Sequence, residues 1–397
     1  MLNRMAAGVV MAAAGTVGLM ASTGTADTVP DPEPRPDLEE EADGSWFGRG
    51  PLAPVGDAMA DLNKELEPAS LTLELGITGV GQVATDVQSG PNDLWSASYD
   101  FVGLWEPADA ISVGWLVEGG EIIGADDRHD LSSGIGTVFG VNDDLDGQEV
   151  AVSELWVALT NEDETMLLTI GKIDQTVFLD ANAVANDETT QFLNGALVNS
   201  AAIAFPDNGL GINFTVDLSP NVYLSLGAGD GRADARETGF STVQDERFFG
   251  AAEVGITHTI DGLGEGNWRL IGWGVDQAGA DSDQGVALSG DQALGDNGLT
   301  AMLRAGWSDG AATGVETMVS AGLGWDRPLN RPADMIGVAW VWADPTGGQD
   351  EHVVEAFYRL QLTDHLAVTP DVQLLIDPAG SDESVVGVFG TRVQLSF

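Results

Sequence analysis

The residues most able to do chemistry in this chain are few and widely separated. Its four histidines, His129, His258, His352 and His365, share no local motif. H-E-x-x-H does not occur, so no zinc-protease pair is present; G-x-S-x-G is matched at Gly306-Trp307-Ser308-Asp309-Gly310, but no helical pattern follows it, as a nucleophile elbow would require. The absence of Cys removes thiolate chemistry, disulfides and a lipid anchor through Cys. Asn142, Asp143, Asp144 and Asp146, and the pair Asp281 and Asp283, supply oxygen ligands, but not at EF-hand spacing. Solvated loops are the simpler reading, so no enzyme, metal or cofactor is expected.

A different group recurs at every second position. Arg304, Glu355, Arg359, Asp371 and Arg392 each alternate with apolar neighbours. By the same rule Glu154 and Trp156 oppose Ala151, Ser153, Leu155, Val157 and Leu159, and Arg247, Glu253 and Glu316 join the polar side. Basic and acidic groups facing one another across a narrow aqueous passage would set up a transverse field that orients polar solutes. The competing role for each is a salt bridge between neighbouring strands.

The elements that must position these residues are β-strands. Val385, Gly387, Phe389, Thr391, Val393, Leu395 and Phe397 form one face of the last segment, against Gly390, Arg392 and Gln394. Val386 and Val388 are the exceptions on its polar side. Leu366, Val368, Pro370, Val372, Leu374 and Ile376 oppose Thr369, Asp371 and Gln373 in the segment before it, and Val354, Ala356, Tyr358 and Leu360 oppose Glu355 and Arg359 in the one before that. Leu299, Ala301, Leu303, Ala305 and Trp307 oppose Thr300 and Arg304 further back. A period of two over such lengths is the strand signature.

Alternation alone does not say whether lipid or a protein core meets the apolar face. Tight connections (219–221, 363–364) alternate with long polar ones (125–148, 230–245, 277–297), the short-turn, long-loop pattern of a membrane barrel. Trp95, Trp105, Trp307, Trp325, Trp340 and Trp342 stand near segment ends, where aromatic girdles form. The terminal Phe397 resembles the signature by which outer-membrane proteins are recognised, which implies the barrel-assembly machinery as a partner. We expect an all-β fold, a transmembrane antiparallel barrel of about 16 strands, the usual size for an aqueous lumen; residues 198–205 leave the count open by about two.

The division along the chain follows. Residues 1–26 read as a signal peptide, with Arg4, an uncharged apolar run and small residues before the cut. Residues 27–50 form a Pro- and acid-rich leader. Residues 51–68 hold a short helix, with Leu52, Val55, Met59, Leu62 and Leu66 at helical spacing and Pro68 as its stop. Residues 69–397 make the barrel. The formal net charge of -48 argues against nucleic acid or other polyanions as partners.

Residues 154–206 add a specific resemblance. They contain Glu154-Leu155-Trp156, Gly171-Lys172-Ile173-Asp174, Phe178-Leu179-Asp180-Ala181-Asn182, the Asn/Asp/Thr-rich run from Asn186 through Asp187, Glu188 and Gln191 to Asn194, and Ala204-Phe205-Pro206. This stretch resembles the carbohydrate-selective porin (OprB) family, as do Phe357-Tyr358-Arg359-Leu360-Gln361 and Thr369-Pro370-Asp371 more loosely. The resemblance implies a sixteen-stranded barrel in the outer membrane of a Gram-negative bacterium. It would pass glucose and related sugars past a constriction narrowed by the 186–194 loop. Asn186, Asp187, Glu188, Gln191 and Asn194 would exchange hydrogen bonds with sugar hydroxyls, and Trp156 would stack on a sugar face. The same polar loop residues would equally serve Asx-turns that hold the loop to the wall. Small carbohydrates and outer-membrane lipids are the implied partners, with a homotrimer as one open assembly. Two other readings remain: a general cation-preferring diffusion porin, given the acidic balance, and a secreted acidic β-sandwich that binds carbohydrate or Ca²⁺.

Overall fold

The computed structural model describes residues 45–123, 130–143, 149–276 and 282–397. The expected signal peptide, most of the leader, His129, and Asp144, Asp146 and Asp281 of the candidate oxygen clusters lie outside them.

Helix α1 (Ala53–Leu66) leads into sixteen strands: β1 (Leu71–Ala84), β2 (Asp93–Ala108), β3 (Ile111–Ile122), β4 (Ala151–Thr160), β5 (Met166–Ile173), β6 (Gly209–Ser219), β7 (Val222–Asp230), β8 (Phe248–Ile260), β9 (Gly264–Val275), β10 (Asp283–Ala293), β11 (Leu299–Ser308), β12 (Val315–Asp326), β13 (Met335–Pro345), β14 (Glu351–Thr363), β15 (Leu366–Ile376) and β16 (Val385–Ser396). Each pairs antiparallel with its sequence neighbours, and β1 closes on β16 from Gly76↔Ser396 to Ala84↔Val388. Closure pairs every strand on both edges, which is what a sheet without water beside it requires. Two further helices, α2 (Leu131–Ile135) and α3 (Gly195–Val198), sit in connections.

The two ends of the barrel differ. One, the turn end, carries short connections such as 109–110, 220–221 and 364–365. The other, the loop end, carries the long ones, including the connections β3–β4, β5–β6 and β7–β8. Outward side chains are apolar and exposed, among them Leu155, Val157, Leu159, Leu270, Val338 and Leu374. Outward Trp105 and Trp268 stand toward the turn end, and Trp95 and Trp307 toward the loop end, so aromatic rings flank the apolar band at both rims, whereas Trp340, expected near a segment end, lies at the middle of β13.

The structure corrects three expectations and settles one point left open. Residues 277–297, expected to be a loop, contain β10; its Val286 and Leu288 face outward and alternate with Ala287 and Ser289, a pattern that Gly and Asp on either side obscure. Residues 198–205 are not a strand but continue the inward loop after α3. Ser153, expected to face outward, is fully buried beside buried Glu154, because the β3–β4 register shifts there and turns Val152 outward instead. A second shift at Val315/Thr317 buries Val315 and leaves Glu316 exposed at the loop-end rim, away from the wall position its parity implied.

Candidate functional site

The lumen is narrowed from within. The connection from β5 to β6, residues 174–208, folds into the barrel, and so does the described part of the β3–β4 connection. Phe192, Leu197, Val184 and Ala202 of the first pack with Leu131, Ile135 and Phe139 of the second and with inward Met318, Val341, Val353, Leu375, Val386 and Val388 of the wall. Phe192 meets Phe357 edge-to-face at 5.0 Å. This explains the two valines on the polar side of β16: they lie under the inward loops, not in water. The other end of the 174–208 loop, through Phe178, Leu179 and Ile203, packs on Trp156, Phe249, Ile271 and Trp273.

Irregular backbone at this depth needs partners for its N–H and C=O groups. The wall supplies them with charged side chains. Arg304 on β11 is fully buried; it pairs with Asp180 at 3.0 Å and donates to the carbonyls of Leu197 (2.8 Å), Ala185 (2.6 Å) and Asp180 itself (3.1 Å). Glu253 on β8 accepts from the Asp180 N–H at 2.8 Å and from the Tyr223 hydroxyl at 2.6 Å. Glu355 on β14 accepts from the N–H groups of Leu193 (2.6 Å) and Asn194 (2.9 Å). Arg392 on β16 donates to the carbonyls of Glu188 (2.5 Å) and Gln191 (3.0 Å). Guanidiniums thus take carbonyls and carboxylates take N–H groups, each to its charge.

The loop's own polar residues hold its shape. Both Asp187 carboxylate oxygens accept from Thr189 and Thr190, by backbone and hydroxyl. The Gln191 carboxamide oxygen accepts from the Asn186 N–H at 2.8 Å, and the Asn186 carboxamide accepts from the Asn182 N–H at 3.4 Å. Asn194 caps α3 through the Ala196 N–H and donates to Gln373 at 3.0 Å. Gln373 and Gln82 both donate to the Val141 carbonyl, tying the second inward loop to β15 and β1. Asp174 opens the loop; desolvation raises its carboxyl above the usual range, against the lowering effect of its bonds from Thr176.

The predicted residues therefore fall into groups. Arg304, Glu253, Glu355 and Arg392 converge on the 174–208 loop as its clasps. Asp371, buried, lies in electrostatic contact with Glu355. Glu154 accepts from the Trp156 indole N–H at 2.9 Å, and the Trp156 ring lies over Gly114, where any Cβ would come within 2.2 Å of it. That ring is 3% exposed, so the face expected to stack on a solute is covered. Arg247 precedes β8 in the β7–β8 connection at the loop end, apart from the other wall charges. Arg359 is half-buried and donates to Gln394 at 3.2 Å and to the Ala333 carbonyl at 3.1 Å.

Two residues that the sequence reading passed over complete the picture. Asp100 on β2 and Glu118 on β3 are directly opposite in register and half-buried, with Gly76 beside Asp100 on β1. Asp187 lies within electrostatic range of Asp100 and of Arg359. The alternation of β2, with Trp95, Tyr99 and Phe101 outward and Ser96, Ser98 and Asp100 inward, carried the same signal as the strands that were read. The half-buried charges thus form an arc from the Asp100–Glu118 pair to Arg359, while the fully buried ones grip the loop.

A closed barrel of sixteen antiparallel strands with a loop folded into its lumen between the fifth and sixth defines the class, the porin fold. The high-pH structure of Pseudomonas putida OprB superposes with a TM-score of 0.72 at 16% identity, covering 85% of this chain and 97% of that one. The low-pH structure of the same protein gives 0.58 at 15% identity, covering 89% and 99%. Within that class, residues 274–397 match the family described as carbohydrate-selective porin, OprB family. The match falls on the end of β9 and on β10–β16, not on residues 154–206. The chain is also 23% identical to the porin AaxA of Chlamydia abortus over 281 residues, 67% of this chain and 61% of that protein. It is 36% identical over 84 residues to an uncharacterized protein of Aquifex aeolicus, 20% of this chain and 27% of that one. Both relatives are matched over less than two thirds of their length.

Proposed function

We propose that the chain is an outer-membrane porin through which small carbohydrates, glucose and related monosaccharides among them, diffuse down their gradient. The observation that carries this reading is the 174–208 loop, held inside the lumen by Arg304, Glu253, Glu355 and Arg392. A loop fixed at four places makes a constriction of constant shape, which is what selection by size and hydrogen bonding needs. Beside it, Asp100, Glu118 and Arg359 offer half-exposed acceptors and donors that can replace a sugar's water. The match of residues 274–397 to the carbohydrate-selective porin family supports the substrate class. A Gram-negative outer membrane, entry by a cleaved signal peptide, assembly through the C-terminal Phe397 and trimer formation belong to the same reading.

The Asp100–Glu118 pair favours a second reading, a general porin that prefers cations. Single-channel conductance of the refolded protein in a planar bilayer, titrated with glucose and then maltose, separates the two. Concentration-dependent block of the ion current is expected for a sugar site in the passage. Conductance that sugar leaves unchanged, with potassium preferred over chloride, would replace the carbohydrate reading by the cation one.

A further inference from the structure

Helix α1 packs on the turn end of the barrel by a face its apolar spacing does not predict. Ala53 and Gly56 are its buried residues, and Gly56 lies so close to the His365 ring that a Cβ would come within 1.9 Å of it. Asn63 fastens the other end, donating to the Leu73 carbonyl and accepting from the Leu73 N–H, both at 2.8 Å. The helix therefore runs along the rim from the β14–β15 turn to the start of β1. Val55 and Leu62, two of the five apolar positions that marked this helix in the sequence, stay exposed at 45% and 40%.

The two flanks of α1 differ in kind. At about 100° per residue, Val55 and Leu62 share one flank, and Asp57 and Lys64 share the opposite one. Lys64 lines a small cavity with Thr72 and Glu106. Thr72 is on the inward register of β1, the one that buries Thr78 and Gln82 further up. The polar flank thus faces the mouth, and the Val55–Leu62 flank faces away from it. That side continues the outward apolar band of β1 and β16, where Ile77 and Val393 are exposed.

We propose that the Val55–Leu62 flank of α1 rests in the lipid leaflet at the turn end, making α1 an interfacial helix bound to the barrel on one side and to lipid on the other. The proposal rests on the barrel spanning a membrane. Asp57, Asp61 and Glu65 outnumber Lys64 on this helix, so apolar burial, not attraction to anionic headgroups, carries the contact. Such a helix settles about 5–10 Å into the boundary between headgroups and acyl chains.

The absence of Cys makes single labels unique. The full mature chain carrying a nitroxide at V55C, L62C, D61C or K64C is refolded into phosphatidylethanolamine/phosphatidylglycerol vesicles, with L270C on the outward face of β9 as a reference. Collision with oxygen, which concentrates in lipid, is compared with collision with a water-soluble nickel chelate. We expect oxygen to dominate several-fold at V55C, L62C and L270C, and nickel at D61C and K64C. A lipid-like L270C with a water-like L62C would overturn the proposal and leave the porin reading standing. A water-like L270C would overturn both. Spin–spin broadening confined to L62C would put a second copy of the chain on this flank instead of lipid.

Discussion

Two carboxylates opposed across a strand pair repel, and in this barrel Asp100 and Glu118 are so placed beside the passage. Like charges directly opposite across strands are destabilising, and a cation or a hydroxyl-bearing solute between them would relieve it. Replacing Asp100 by Asn should lower potassium-over-chloride permeability several-fold, read from the reversal potential across a KCl gradient, with barrel stability unchanged or slightly raised. A reversal potential that does not move would take Asp100 out of the ion path. The inward orientation of Arg304, Glu253, Glu355 and Arg392 was legible from a period of two alone. Their partners were not, because a strand's alternation says which way a side chain points and nothing about which distant backbone folds in to meet it. Glu316 and Ser153 were misplaced for a related reason: one extra residue at a register shift reverses parity, and no residue type marks either shift.

Among the elements, the 174–208 loop depends most on a single residue. Arg304→Ala removes the partner of buried Asp180 and leaves the carbonyls of Leu197 and Ala185 without their donor. Breaking one side of a buried pair costs about 3–5 kcal/mol, so the urea midpoint in detergent should fall, and the released loop should make the open-channel current larger and noisier. An unchanged midpoint and current would refute the clasp. Strands with charged inward residues and bulky outward ones, such as β11, β14, β15 and β16, were readable in the sequence. Strand β10 was not, since its Gly, Ser, Asp and Gln content resembles a loop and only its place between β9 and β11 makes it a strand. The inward fold of the β3–β4 connection was equally hidden. Leu131, Ile135, Phe139 and Val141 are apolar beads in a polar stretch, and their burial depends on loop 174–208 being there to cover them.

For the molecule as a whole, the net charge of -48 acts on ions before they reach the narrow part. A negative mouth raises the local cation concentration, and the effect grows as the Debye length lengthens from about 3 Å at 1 M to 30 Å at 0.01 M salt. Conductance should therefore fall less than proportionally as KCl is diluted from about 1 M to 0.01 M, levelling off where the protein's own charge sets the cation supply. Strict proportionality would show that the acidic groups stand too far from the entrance to matter. Closure of β1 on β16 was inferable only indirectly, from an even count and an aromatic end, because pairing of the first and last strands leaves no local mark.

The clasps take hold of the inward loop almost entirely by its backbone. Arg304 and Arg392 bind carbonyls and Glu355 and Glu253 bind N–H groups, while the side chains of Asp180, Asn194, Asn182 and Gln175 add further contacts to the wall. Peptide groups are the same whatever side chain they carry, so the grip survives most changes in the loop's sequence. Natural drift or deliberate grafting can recast the loop's lumen-facing side chains while its path and the barrel remain, and new solute preferences can arise here without a new scaffold.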